Sequence, residues 1–147
     1  MSATIKIATC DDIHLIADFL VMMQEELREL DLRYDTLIKR LADKFDQVTW
    51  FLFYDENGVP FGTMYASKQF AYWKDSFRYK IGGVYIKPEF RGRGYYRQVM
   101  NLMQEWAKSQ GAYGFLADVY TGNEHSAKSL CSVGFTEMDY KNYTKEF

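Results

Sequence analysis

The chain has 147 residues, 48% hydrophobic and 18% aromatic, with a formal charge of −2. That length suits one packed domain over residues 1–147 and is short for two. Eighteen basic side chains against 20 acidic ones give no positive field, which argues against DNA or RNA as a partner.

Thr4 to Ala8 alternates weakly, as a first strand does. Thr9 followed by Asp12 has the form of a capping box, so a helix is expected from about Asp11. Its apolar stripe is Ile13, Ile16, Ala17, Leu20, Met23, Leu27 and Leu30, spaced by threes and fours, which marks a core-facing side. After a bend at Leu32 to Tyr34, a shorter helix carries Leu37, Ile38, Leu41 and Phe45, with Asp35 as its expected cap.

Val48 to Tyr54 is β-branched and aromatic, Asp55 to Gly58 supplies turn chemistry, and Val59 to Ser67 returns as a hairpin partner. Phe77 to Ile86 adds a third strand. Beyond Pro88, the stripe Tyr96, Val99, Met100, Met103, Trp106 and Ala107 is helical and ends where Gly111 can turn left-handed. Phe115 to Tyr120 reads as a strand, Ser126 to Cys131 as a short helix stopped by Gly134, and Met138 to Phe147 as one or two closing strands.

Two cysteines, Cys10 and Cys131, lie far apart and lack metal-site spacing, so they are expected as reduced, buried small hydrophobes, and no metal is expected. His14 and His125 have no spaced partner that would suggest a ligand or a triad. The opening MSATIKIATCDD lacks a basic start followed by an apolar stretch, and no apolar run approaches the roughly 18 residues of a membrane span. No membrane association and a cytoplasmic location are the expectations.

Chemistry concentrates in IGGVYIKPEFRGRGYYRQVM. Here a strand leads through Arg91-Gly92-Arg93-Gly94 directly into a helix beginning near Tyr95. A helix start presents unpaired N–H groups with partial positive charge, and glycines let a ligand approach the backbone, so phosphate oxygens can bind there. Arg91, Arg93 and Arg97 add charge. A two-glycine turn can also merely reverse the chain. A dinucleotide fingerprint is disfavoured because Arg97 stands at its third glycine, and the Walker pattern lacks Gly-Lys-Ser/Thr.

Val84-Tyr85-Ile86, Pro88-Glu89-Phe90, Arg91-Gly92-Arg93-Gly94 and Asn123 with Gly134-Phe135 together resemble the GNAT superfamily of acetyl-CoA-dependent N-acetyltransferases. The resemblance implies an α/β (α+β) fold: a central mixed, mostly antiparallel sheet with helices on both faces. It implies that the backbone of Val84, Tyr85 and Ile86 pairs with the pantetheine arm of acetyl-CoA. Arg91, Gly92, Arg93, Gly94, Tyr95, Tyr96 and Arg97 would surround the pyrophosphate. Asn123 would contact the pantetheine and cap the following helix. One departure is Tyr96, where the family's turn carries a small residue.

The implied reaction is acetyl transfer to a primary amine of a small molecule or peptide, by direct attack in a ternary complex. Such an amine, with a pKa of about 10.4, is nearly all charged at neutral pH and benefits from a base. Asp118 is the candidate by position, and its alternative is a structural carboxylate. The family's general acid is a Tyr seven residues after the Asn, but Leu130 stands there. Tyr120, Tyr140 or Tyr143 would have to serve, or the thiolate leaves unassisted. A covalent role for Cys131 is disfavoured for want of a paired His.

Tyr34, Tyr72 and Trp73, with Phe70 and Phe77, are expected as acceptor walls. Glu25, Glu26 and Asp31 either charge that mouth or form a solvated helix face. Two readings from other classes compete: a catalytically weak acyl-CoA-binding or sensor domain, and a protein-interaction module whose aromatic loop is exposed. Pairing into a homodimer is left open.

Overall fold

A computed structural model describes residues 2–27 and 32–147. It contains one sheet of five strands in the order β1 (Thr4–Ile7), β2 (Thr49–Tyr54), β3 (Pro60–Ala71), β4 (Ser76–Ile86) and β5 (Phe115–Ala117). The first four are antiparallel neighbours, and β5 runs parallel to β4. This is the mixed, mostly antiparallel sheet the sequence suggests.

Helices cover both faces. Strand residues alternate between faces, so Phe51 and Phe53 of β2 point one way while Trp50 and Leu52 point the other. Phe51 and Phe53 meet α3 (Tyr95–Ser109) through Tyr95, Val99 and Met103, all at 1% exposure or less. Trp50 and Leu52 meet α1 (Ile13–Leu27) and α2 (Tyr34–Lys44) through Ile16, Phe19, Leu37 and Leu41. Each fully buried large apolar side chain contributes about 1.5–3 kcal/mol, so both layers anchor the sheet.

The expected boundaries hold in most places. The Thr9–Asp12 capping box forms, with Asp12 accepting from the Thr9 N–H at 2.9 Å, and a 3-10 turn over Cys10–Asp12 leads into α1. Ile13, Ile16, Ala17 and Leu20 are buried as the stripe requires, Leu27 is exposed, and Leu30 lies outside the described residues. Phe19 and Gln24, absent from that stripe, are buried too. Gln24 accepts from the N–H of Leu32 at 3.0 Å and donates to its carbonyl at 3.3 Å, which ties the start of the second helical segment to the first.

Four expectations are corrected. Asp35 does not cap α2: the cap position is Arg33, which makes no side-chain cap bond, and Asp35 sits within the first turn where its charge favours the positive helix end. Strand β5 stops at Ala117, because only Tyr79–Ile81 of β4 pair with it, so Asp118 and Tyr120 lie past the strand. Met138 to Phe147 forms no strand: its apolar residues are interrupted by Asp139, Lys141, Lys145 and Glu146, and no neighbouring strand pairs with it. Cys10 and Cys131 are unpaired but exposed, the first in the 3-10 turn and the second on α4 (Glu124–Ser132), which buries none of its residues.

Candidate functional site

The site begins where the sheet opens. Pairing between β4 and β5 ends at Ile81 opposite Ala117. Immediately beyond, the β3–β4 register slips between Thr63 and Tyr65, so that Met64 of β3 alone faces Gly83 and Val84 of β4. Gly83, at φ 58°, takes the left-handed conformation this bulge needs. The extra residue bends β4 and leaves Val84, Tyr85 and Ile86 with β3 on one edge and no strand on the other. A free strand edge can take up the amides of an extended ligand.

At the far end of that edge, Pro88–Phe90 make a 3-10 turn and Gly92 (φ 69°) and Gly94 (φ 88°) turn the chain into α3. Gly94 occupies the cap position and no side chain caps the helix. The first bond of the helical ladder is from the Gln98 N–H to the Gly94 carbonyl, so the Tyr95, Tyr96 and Arg97 amides have no carbonyl partner within the helix. No atom lies within 4 Å of where a Cβ on Gly92 would stand. Open space at Gly92, amides without carbonyl partners and a helix of 15 residues behind them suit a phosphate.

The arginines are held locally. Arg93 Nη1 donates to the Glu89 carbonyl at 3.1 Å, and Arg97 Nη2 to the Ser132 carbonyl at 2.9 Å. Arg91 Nε donates to the Ile86 carbonyl at 2.8 Å, while its Nη2 donates to Glu26 Oε2 at 2.8 Å and Oε1 at 3.0 Å. Tyr95 is buried with its hydroxyl on Glu56 Oε2 at 2.8 Å, so its side chain does not face a ligand. Tyr96 turns its ring into the core layer under α3, leaving the helix start unobstructed, and burial raises its phenol above the ordinary range.

Glu26 is the residue the sequence left undecided, and it is more than a solvated charge. From α1 it grips Arg91 and also accepts from the Tyr85 hydroxyl at 3.4 Å. The Arg91 guanidinium lies 5.4 Å from the Tyr85 ring centre. Burial first, and the Glu26 carboxylate second, raise the Tyr85 phenol above its usual value. Of the other acidic candidates, Glu25 is exposed and Asp31 lies outside the described residues.

Asp118 stands at the mouth of the opening, one residue past β5, with Oδ2 at 2.6 Å from Lys80 Nζ. That hydrogen bond raises the Lys80 ammonium above its ordinary pKa against the opposing effect of burial. The ion pair holds the Asp118 carboxylate at the mouth.

Asn123 caps α4 by accepting from the Ser126 N–H at 3.1 Å, as its type and position suggest. Tyr120, Tyr140 and Tyr143 are 73%, 79% and 91% exposed. With Tyr72, Trp73, Asp118, Asn123 and Leu130 they line one open groove of about 1900 Å³ bordered by β5 and α4. Tyr34, at the start of α2, is not part of that groove. Among the described residues no cluster of His, Cys, Asp or Glu could hold a metal ion, and no helix is long and apolar enough to cross a membrane.

One aromatic residue escaped the sequence reading. Tyr65 of β3 pairs with Gly82, the first residue of β4 beyond the last β5 pair. A Cβ on Gly82 would stand 2.5 Å from the Tyr65 hydroxyl oxygen and 2.6 Å from Cζ, so the phenol lies directly over that glycine. Trp50 braces the ring edge-on, with centroids 5.3 Å apart. No motif flags a lone Tyr in a strand, so only the fold could find it.

The acetyltransferase (GNAT) family model matches residues 15–135. A relative from Salmonella typhimurium, an L-methionine sulfoximine/L-methionine sulfone acetyltransferase, is 30% identical over 110 residues. That match covers 66% of this chain and 62% of the relative, so the chain spans less than two thirds of that protein's length. Among solved structures, a possible acetyltransferase from Clostridium difficile superimposes with a TM-score of 0.86 at 19% identity, covering 100% of this chain and 99% of the other. An aminoglycoside 6'-N-acetyltransferase from Acinetobacter baumannii gives 0.75 at 19% identity, with 99% of each chain covered. A Clostridium acetobutylicum acetyltransferase solved with acetyl-CoA gives 0.76 at 14% identity, covering 97% of this chain and 96% of the other.

Proposed function

The chain belongs to the acetyltransferase (GNAT) family, and on that premise we propose that it transfers an acetyl group from acetyl-CoA to a primary amine of a small molecule or peptide. The observation that carries this reading is the parting of β4 from β5 at Ile81 and Ala117, with an uncapped helix start at the other end of the freed edge. In this reading the free edge of Val84 to Ile86 pairs with the amide-bearing arm, and the amides of Tyr95 to Arg97 take the pyrophosphate. Arg91 adds charge to that cradle, and Asn123 holds the far side of the opening.

Acetyl-CoA, when bound, supplies an activated thioester. The residues around it do the rest. The amine attacks directly within a ternary complex, an N–H of the bulged β4 segment polarises the acetyl carbonyl, and Asp118 accepts the amine proton directly or through water. Lys80 holds that carboxylate in place. Tyr72 and Trp73, exposed at the β3–β4 tip beside the groove, offer aromatic walls to a partly apolar acceptor.

A second reading has its own observation. Leu130 stands where the family's acid would be, and it lines the groove without any proton to give. A cofactor-binding domain with little turnover follows if nothing replaces that acid.

Release of free thiol from acetyl-CoA separates the two readings, measured with methionine sulfone, methionine sulfoximine, an aminoglycoside, a polyamine and a lysine peptide. Amine-dependent release that falls at least about 100-fold in Asp118→Asn supports the enzyme. Binding of acetyl-CoA without release for any amine supports the non-catalytic domain.

A further inference from the structure

We propose that Tyr65 is the proton donor to the departing coenzyme A thiolate, in place of the side chain that Leu130 lacks. This rests on the acetyltransferase reading above. The argument starts from where the opening closes. The last β4–β5 pair is Ile81 with Ala117, so Gly82 lies at the apex of the wedge, and the Tyr65 hydroxyl lies over Gly82.

An arm that starts from the helix end beyond Ile86 and runs back along the free edge of β4 reaches this apex with its reactive end. The stretch from Ile86 to Gly82 is about 13 Å of strand. The bulge at Gly83 turns the strand there, and the same two glycines let the Tyr65 and Trp50 rings lie against the backbone. A side chain at either position would displace those rings.

Three features favour Tyr65 over the other phenols. It is half-buried and braced by Trp50 at 5.3 Å, whereas Tyr120, Tyr140 and Tyr143 are largely solvated. A braced donor loses little freedom when it acts. Tyr65 also shares a sheet face with Lys80, its cross-strand diagonal neighbour through the Gly82 and Lys80 registers, and Lys80 carries Asp118 at 2.6 Å. Donor and base therefore stand on the same face of the same opening.

The proton count balances. As the amine nitrogen bonds to the acetyl carbon, the carbon–sulfur bond breaks and its electron pair leaves on sulfur, which takes the Tyr65 hydroxyl proton. The nitrogen gives its surplus proton to Asp118. The phenolate regains a proton from that carboxylic acid through Lys80 or water. The net change is one proton from nitrogen to sulfur.

The test is Tyr65→Phe, which keeps the ring over Gly82 and against Trp50 and removes only the hydroxyl. Steady-state kinetics with the best amine, titration of acetyl-CoA, and kcat in H2O and D2O are compared with the wild type. The proposal expects kcat to fall about 100-fold or more, an unchanged Kd for acetyl-CoA, and a solvent isotope effect on kcat that changes because another group or water now supplies the proton. A kcat within about threefold of wild type overturns Tyr65 alone and leaves the enzyme standing. Loss of acetyl-CoA binding in Tyr65→Phe assigns the hydroxyl a structural role and also overturns it. A wild-type protein that turns over no amine removes the acetyltransferase reading and Tyr65 with it.

Discussion

Replacing Gly82 with Ala tests the packing on which the site depends. The new Cβ would stand 2.5 Å from the Tyr65 oxygen, 2.6 Å from Cζ and 2.9 Å from Cε2, so the phenol as a whole has to move. Overpacking of this kind costs about 1–3 kcal/mol. Gly82 is not in the left-handed region, so the substitution also gains about 0.4–1 kcal/mol by restricting the unfolded chain. The difference is a net loss of up to about 2.6 kcal/mol, centred on about 1.3 kcal/mol, which for a chain of this size lowers Tm by up to roughly 10 °C. In a Tyr65→Ala background the clash is absent and only the unfolded-state gain remains, so the same Gly82→Ala change becomes neutral or stabilising. Differential scanning calorimetry of the four proteins of this cycle, without ligand, reads the sign directly. Gly82→Ala above the wild-type Tm, or an equal effect of Gly82→Ala in the wild-type and Tyr65→Ala backgrounds, would refute the placement of Tyr65 over the apex.

Glu26→Gln removes an ion pair between half-exposed partners, worth about 0–1 kcal/mol, so Tm changes little in a thermal scan. The same change frees Arg91 for an anion and tightens acetyl-CoA binding about two- to fivefold at low salt by calorimetry, an effect that added salt erases. Asn123→Ala loses the cap on the Ser126 N–H and costs about 0.5–2 kcal/mol in urea unfolding, while Asn123→Ser or Asn123→Asp retains most of it. Burial pushes the Asp12 carboxyl upward, but the Thr9 N–H and the Lys6 ammonium outweigh it and hold the group below its ordinary value. Its stabilisation is therefore complete above the unfolded value of about 3.9 and is lost as pH falls through the lower folded value. Urea midpoints measured from pH 6 downward show that acid loss in the wild type, and Asp12→Asn lacks this part of it.

What could be read in advance was local. The stripe Val99, Met100, Met103 and Ala107 fixes α3 and its buried side, and Arg91-Gly92-Arg93-Gly94 fixes the turn before it, because periodicity and glycine chemistry act over a few residues. Contacts between distant residues were hidden. Glu26 and Arg91 are 65 positions apart, and nothing in an acidic residue on a helix announces its partner. Tyr65 meets Gly82 only because β3 and β4 pair in one register with one bulge, a fact of the folded sheet. The tail from Met138 misled for the opposite reason: its aromatic residues have strand propensity, but propensity without a neighbouring strand makes no sheet. Cys10 and Cys131 misled likewise, since the burial typical of the residue type yields to an exposed turn and an exposed helix.

The most direct test is isothermal titration of acetyl-CoA into the wild-type protein and into Gly94→Val. A β-branched side chain at φ 88° is strained and stands at the cap of α3, so it disrupts the cradle. The account predicts one site per chain in the wild type and at least a tenfold weaker Kd in a Gly94→Val protein whose circular dichroism shows it folded. No binding by the wild type, or equal binding by a folded Gly94→Val, would contradict the placement of acetyl-CoA between β4 and the start of α3.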